Sequence, residues 1–487
     1  MVFWLRDRRK ADTMMKRHDY KFRPDPTWKD GYFIPSTPIP IPKHPDDWNK
    51  RDLLGATLAM SRNPVEATTF ASMTLEHYIT TAFGETILAL GSPDLIKYLF
   101  VDNHKNMEMH PVRQAILKPV LKDGLITAEG EAWRFARRAL APVFVPRHTK
   151  KFATKMRTST QALLPRLLKE DTVIDIGEVL LQLAYGVLSD TLFSGEIEST
   201  SDDALRDIAS FLNTLGKADP LDIMMAPKWI PRLTKLGGKN AVKRLRESVL
   251  SLSQNRRARL EAGEDIPDDF LTLLLTTQTE DGEALNDAQI EDQLITFIGA
   301  GHETTSRALT WLVYLLSQDA EARTKLETEI DALDMTLPPE HWAENMPWSM
   351  ACFEETMRLY PPAPIISRRL LKDDNDYEDL SLKSGTAIMI NLWALHRHRT
   401  LWDNPDGFDP HRFLPENKAS QHRFQYLPFG LGHRVCIGQR FAMQEAAIII
   451  ALLFKDHRFT LDGDHPWPFM RITTKPEKSL MMRVERR

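Results

Sequence analysis

The 487 residues are 42% hydrophobic and 27% charged, the balance of an ordinary globular chain long enough to bury a large core. A formal net charge of −4 offers no overall attraction to nucleic acid. Two cysteines exclude a disulfide framework and suit a reducing compartment.

The chain opens on five apolar residues, Met1 to Leu5, followed by the charged run Arg6 to Lys10. That is too short for a signal peptide, and a membrane-spanning helix needs about 20 apolar residues. A cytoplasmic protein without a transmembrane anchor is expected. Pro35, Pro38, Pro40, Pro42 and Pro45 predict an extended arm, with residues 1–46 packed on a single domain of residues 47–487. Residues 79–90 are rich enough in Thr, Ile and Phe for strands of a small sheet. A short helix is expected from Pro93 to Phe100, and residues 101–127 read as irregular. Helical patterns cover Gly130–Ala141, where Pro142 stops the helix, and much of 150–215 and 240–275. Leu221 to Met225, with Trp229 and Ile230, is apolar and reads either as a buried loop or as a peripheral membrane contact.

A long helix is predicted from Asn286 to Ser317. Asn286 is its N-cap, Asp287 and Glu291 suit the dipole, and Ile290, Leu294, Phe297 and Ile298 recur at helical spacing. Short strands are expected near 380–390 and 458–484, and a buried helix over 437–454. The fold class is mainly α with small β-sheets.

Four segments carry chemistry. The first is Phe429-Gly-Leu-Gly432-His-Arg434-Val-Cys436-Ile-Gly438. A cysteine before a helix N-terminus meets unpaired N–H groups and the positive dipole end, which lower a thiol pKa. The glycines allow unusual dihedrals and close approach to a flat partner, and Phe429 is placed to shield the sulfur. The arrangement suits a thiolate ligand under haem, although a lone cysteine there would read as an inert core thiol. The second is Gly299-Ala300-Gly301-His302-Glu303-Thr304-Thr305. Its glycines cost roughly 1 kcal/mol each inside a helix, which suggests a gap made for something small. The third is Glu355-Thr-Met-Arg358, one helix face followed by the helix-stopping Pro361-Pro362. Taken alone it is a common solvated pair. In the fourth, Trp133 and Arg137 share a helix face and offer donors to an anion. Cys352 is a small buried hydrophobe.

Phe429, Gly432, Arg434, Cys436 and Gly438 match, at every spacing, the haem-ligand signature of the cytochrome P450 superfamily. The other three segments follow in that superfamily's order. From about Asp47 to its C-terminus the chain resembles soluble, bacterial-type single-domain members. The resemblance implies a triangular helical prism with haem b between the long central helix and the Cys loop. It makes Cys436 the iron ligand, with Ala300 and Gly301 at the dioxygen groove. Glu303 and Thr304 become the acid–alcohol pair that relays protons. Trp133, Arg137, Arg368 and Arg434 become partners of the haem propionates. Glu355, Arg358 and Arg412 become a structural network, and Ala300, Thr304, Ala363, Ile365 and Ile366 line the substrate pocket. Residues 101–127 become the pocket roof, and Leu221–Met225 falls at the substrate entrance.

The implied activity is hydroxylation of a lipophilic substrate with O2. The run Pro361-Pro-Ala-Pro-Ile-Ile-Ser-Arg368 is similar to the fatty-acid and alkane hydroxylating branches. No second cysteine cluster and no flavin module accompany the chain. Electrons from NAD(P)H are therefore expected through a separate ferredoxin or flavodoxin and its reductase. Arg134, Arg138, Lys150, Lys151, Arg423 and Arg440 form either the docking patch of a monomer or a scattered set of solvated charges. A haem-thiolate peroxygenase or isomerase, or a haem-binding protein without turnover, is the alternative. Retention of Glu303 and Thr304 favours the monooxygenase.

Overall fold

The computed structural model describes residues 23–42, 62–82, 84–196, 239–279 and 281–487, with Gly55, Ala59, Met60 and Ser210 singly between them. The expectations for residues 1–10, for the apolar stretch 221–230 and for part of the proline-rich arm lie outside the described residues. Two compact units emerge, each built from non-consecutive stretches. The first comprises residues 1–110, 354–435 and 463–478, and the second residues 111–353, 436–462 and 479–487.

The strands, in chain order, are β1 Thr27–Lys29, β2 Tyr32–Ile34, β3 His77–Ala82, β4 Glu85–Leu90, β5 Met107–Met109, β6 Val173–Asp175, β7 Ile365–Leu370, β8 Asp374–Tyr377, β9 Leu380–Leu382, β10 Ala387–Asn391, β11 His457–Leu461, β12 Pro468–Met470, β13 Thr474–Pro476 and β14 Met481–Arg486. The longer helices are α1 Pro111–Leu121, α2 Gly130–Leu140, α3 Pro146–Leu167, α4 Ile176–Phe193, α5 Lys239–Glu261, α6 Phe270–Thr276, α7 Asp287–Gln318, α8 Ala320–Ala332, α9 Pro347–Leu359 and α10 Gln439–Asp456.

In the first unit a five-stranded sheet runs in the order β3-β4-β10-β7-β5. Only the β4–β10 pair is parallel, with Ile388 opposite Leu88. Leu88, Ile388 and Ile390 are fully buried and join Leu95, Ile96, Leu99 and Leu395 in one apolar cluster. The β1–β2 hairpin turns at Asp30-Gly31, both at positive φ (51° and 83°), the conformation that suits a two-residue hairpin turn. The arm continues past it, and the Ile41 N–H bonds the Thr68 carbonyl at 2.9 Å.

The second unit is helical around α7, with a three-stranded sheet β11-β14-β6. α7 begins at a capping box: the Asn286 side chain accepts from the Gln289 N–H, and the Gln289 side chain accepts from the Asn286 N–H, both at 2.9 Å. The neighbouring α4 is long and apolar enough to cross a membrane, but 78% of it is buried within the protein, as in a core helix. Close packing explains its glycine: a Cβ on Gly186 would lie 2.5 Å from Leu163 Cδ1.

Residues 101–127 are not irregular. They contain β5 and the eleven-residue helix α1. Pro111 sits at the helix start, where proline is favourable, and Pro119 lies only two residues from the end. Leu117, Val120 and Leu121 are buried at helical spacing, so packing outweighs the two apparent breakers. The predicted helix at 93–100 is shorter, Pro93–Lys97, and passes into a wider turn at Tyr98–Asp102. β7 and β8 were not anticipated, because prolines and charges interrupt the alternation around them.

Candidate active site

Cys436 lies three residues before α10, whose N-cap is Gly438. Its thiol is solvent-accessible, yet surrounding protein raises its pKa by desolvation; the Gly438 N–H and the Arg137 charge act in the opposite direction. The expected net lowering of the thiol is not found, because burial outweighs one N–H and one charge. Arg137, half-buried on α2, answers in kind: burial lowers its guanidinium and the sulfur pulls it back. Trp133, one turn earlier, is buried.

The glycines divide by role. Gly432 has φ +63°, and a Cβ there would stand 2.4 Å from the Phe100 carbonyl oxygen, so two constraints demand glycine. Gly438 is at φ −88° with only ordinary contact to Phe144. Its dihedral is not unusual, contrary to expectation, and its N–H toward the sulfur is what it contributes. Phe429 and Arg434 are half-buried.

From Ile290 to Leu316, only Phe297, Ala300, Gly301, Glu303 and Thr304 escape full burial. Apart from Glu303 they fall at i, i+3, i+4 and i+7, one accessible stripe on a buried helix. Thr304 Oγ1 donates to the Ala300 carbonyl at 2.8 Å. Glu303 faces Arg307 one turn on, at 3.9 Å. Gly301 is not an empty gap: a Cβ there would sit 3.0 Å from Leu188 Cδ2 of α4. Its smallness serves helix–helix packing, a demand invisible until α4 is placed.

Glu355, Arg358 and Arg412 gather in the first unit. Arg358 donates to both Glu355 oxygens (2.6 and 2.7 Å) and to the carbonyls of His396, Pro405 and Gly407 (2.8, 2.7 and 2.8 Å). All five guanidinium donors are thereby used. Glu355 also accepts the Asp409 N–H at 2.8 Å and lies 3.6 Å from Arg412 Nε. On β7, Arg369 is paired with Glu108, and Arg368, on the opposite sheet face, donates to the Ser367 carbonyl at 3.1 Å.

Among the described residues, no three His, Cys, Asp or Glu side chains gather into a metal-binding group. A metal held by Cys436 must therefore bring its other ligands with it, as iron does inside a porphyrin. The residues present fit haem.

A profile of the family described as Cytochrome P450 matches residues 53–484. The chain belongs to the cytochrome P450 family. It is 28% identical over 398 residues to cytochrome P450 4X1 of Homo sapiens, covering 77% of each chain. Identity is also 28% over 414 residues to cytochrome P450 4A12 of Rattus norvegicus, covering 81% of this chain and 80% of the other. Over 417 residues it is 27% identical to taurochenodeoxycholic 6 alpha-hydroxylase of Sus scrofa, covering 81% of each. These relatives are mammalian and lend no support to a bacterial-type member. As a P450 the protein is a monooxygenase that uses haem b, O2 and NAD(P)H-derived electrons delivered by a redox partner.

Other expected residues of this P450 fall unevenly. Ala363 is exposed and Ile365 half-buried, whereas Ile366 packs against the apolar cluster of its unit and is as much core as lining. Among the basic residues, Arg134 pairs with Glu131 and Lys151 with Asp268, which reduces their pull on a partner. Arg138, Lys150, Arg423 and Arg440 are exposed.

Three features escaped the sequence reading. Arg307, the partner of Glu303, could have been found from its i+4 spacing. His302 is fully buried with Nδ1 on the Ile298 carbonyl and its ring edge-on to Tyr185. Glu445 is a lone acid inside the apolar run of α10, buried to 1% exposure.

Proposed function

We propose that this P450 hydroxylates a lipophilic, fatty-acid- or alkane-like substrate, with Cys436 as the axial thiolate and electrons from a separate ferredoxin or flavodoxin. The observation that carries the reading is the accessible thiol of Cys436, beside the Gly438 N–H and the Arg137 charge and, among the described residues, without companion metal ligands. Haem, when bound, supplies dioxygen activation and oxygen transfer.

The chain's own residues do the rest. Arg137, Trp133, Arg368 and Arg434 would hold the propionates of the bound haem. Ala300 leaves space on the accessible stripe of α7, and Ile365 and Ala363 keep the substrate end apolar. Thr304 rotates its hydroxyl off the Ala300 carbonyl to donate into the pocket. Glu303, half-buried and steered by Arg307, passes protons from solvent toward Thr304. The apolar accessible side chains support a lipophilic substrate. The relative whose name gives 6 alpha-hydroxylation of a bile acid supports hydroxylation of a lipophilic acid.

The first test is the visible spectrum of the purified protein, reduced with dithionite under carbon monoxide. A strongly red-shifted Soret band, lost in Cys436→Ser, is expected. A histidine-type or thiol-type band in the wild-type protein would overturn the assignment of Cys436.

A further inference from the structure

The segment that follows β10 in the first unit holds a buried cation that the site does not use. Arg397 stands just beyond the short helical turn Leu392–Leu395, at 1% exposure. Its Nε, Nη1 and Nη2 are all buried, and none has a hydrogen-bond partner. One face of the guanidinium is covered: its central carbon lies 3.7 Å from the centre of the Trp393 ring. Tyr360, edge-on to Trp393, brings a second buried ring to 6.0 Å. Stacking attracts the charge through the face of the guanidinium plane. The five N–H donors lie in that plane, where stacking does not serve them.

The acceptors and counter-charges nearby are spent on other arginines. Arg358 takes both Glu355 oxygens and the carbonyls of His396, Pro405 and Gly407. Asp406, the one acid whose charge acts on Arg397, is bound to Arg399 at 2.6 Å. Arg412 lies 3.6 Å from Glu355 and 3.9 Å from Asp409. Among the described residues, Arg358, Arg399 and Arg412 each contact an acid, and Arg397 contacts none. Burial lowers its pKa to about 9, so it still carries its charge at neutral pH. A buried charge is strongly disfavoured unless it is both paired and hydrogen-bonded. Water would serve the donors and leave the charge. An anion serves both.

We propose that the in-plane edge of Arg397, backed by the Trp393 face, is a buried binding site for one small monovalent anion of the chloride class. One uncompensated positive charge calls for one negative charge, and full burial admits only a small ion. The ion accepts from the donors that no protein atom meets. It also offsets the repulsion between Arg397 and Arg358, and so steadies the segment that Arg358 holds through the carbonyls of His396, Pro405 and Gly407. The role is structural and stands apart from the haem-thiolate reading.

The test is long-wavelength anomalous diffraction from crystals of the haem-loaded protein kept in chloride throughout. An anomalous peak in the guanidinium plane, at hydrogen-bonding distance from the Arg397 nitrogens, is expected; water gives no such signal. In parallel, the melting temperature of wild type and Arg397→Met is followed as chloride replaces gluconate at constant ionic strength. An ion at ten times its dissociation constant multiplies the folded-to-unfolded ratio about elevenfold. The wild-type midpoint should therefore rise with chloride. That of Arg397→Met, which keeps an unbranched side chain against Trp393, should not. Density at Arg397 without an anomalous signal, anomalous peaks at surface positions only, or the same chloride response in both proteins overturns the site. Should Arg397→Met fail to fold, the diffraction alone decides.

Discussion

Thr304 has one hydroxyl hydrogen, and in the resting helix it belongs to Ala300. Donation into the pocket therefore requires a rotation that only a threonine or serine can make. Thr304→Ala should still bind a lipophilic ligand, seen as the same spin-state shift, but should divert electrons to peroxide. Unchanged coupling in that variant would remove Thr304 from the relay. Glu355 is the opposite kind of residue, fully buried with its charge spent on Arg358. Glu355→Gln leaves the Arg358 guanidinium buried without its counter-charge, a loss of about 3–5 kcal/mol. The expected outcome is a protein that unfolds at much lower denaturant, with haem content falling in parallel.

At the scale of elements, the approach of α4 to its neighbours α7 and α3 is set by small residues. Gly301 meets Leu188, and Gly186 meets Leu163 of α3. Gly301→Val places three more carbons against Leu188, and overpacking of this kind typically costs about 1–3 kcal/mol. Thermal denaturation should show the loss, and Leu188→Ala in the same chain should restore part of it. Independent, additive effects of the two changes would mean that the helices do not meet there. The capping box of α7 and the Asp30-Gly31 hairpin are local devices, and local devices are what a sequence shows most directly. Asn286 was legible as a cap by type and position. Gly301 was not legible as a packing residue, because its partner lies 113 positions away in the chain.

Across the whole molecule, burial of titratable groups decides the response to pH. His302 is held neutral, its pKa lowered to about 4 by desolvation, against an ordinary value of 6.5. Between those values the unfolded chain binds a proton that the folded His302 refuses, so stability falls as pH drops through that window and levels off below it. His396, lowered to about 3, extends the same slope further into acid. His302→Gln should flatten part of the acid limb of a plot of melting temperature against pH. An unaltered limb would show that His302 is solvated in solution. Glu445 works in the other direction: its proton is retained by the fold up to about 8, so stability contributed in acid is lost as pH rises toward that value.

The Cys436 loop, the Glu303-Thr304 dipeptide and the Glu355–Arg358 spacing stood out in the sequence because each is a short stretch whose residue types already suggest a chemistry, and of these the structure shows the Glu355–Arg358 pair made. The same holds for the mainly helical class, which follows from periodicity. What tertiary structure alone decided is every property that depends on surroundings. It set the direction of the Cys436 thiol shift, the division of labour between Gly432 and Gly438, the helix hidden between two prolines at 111–121, and the neutral state of Glu445. Residue type fixes what a side chain can do. Which of those capacities is expressed depends on desolvation and on partners far along the chain, and neither exists until the chain has folded.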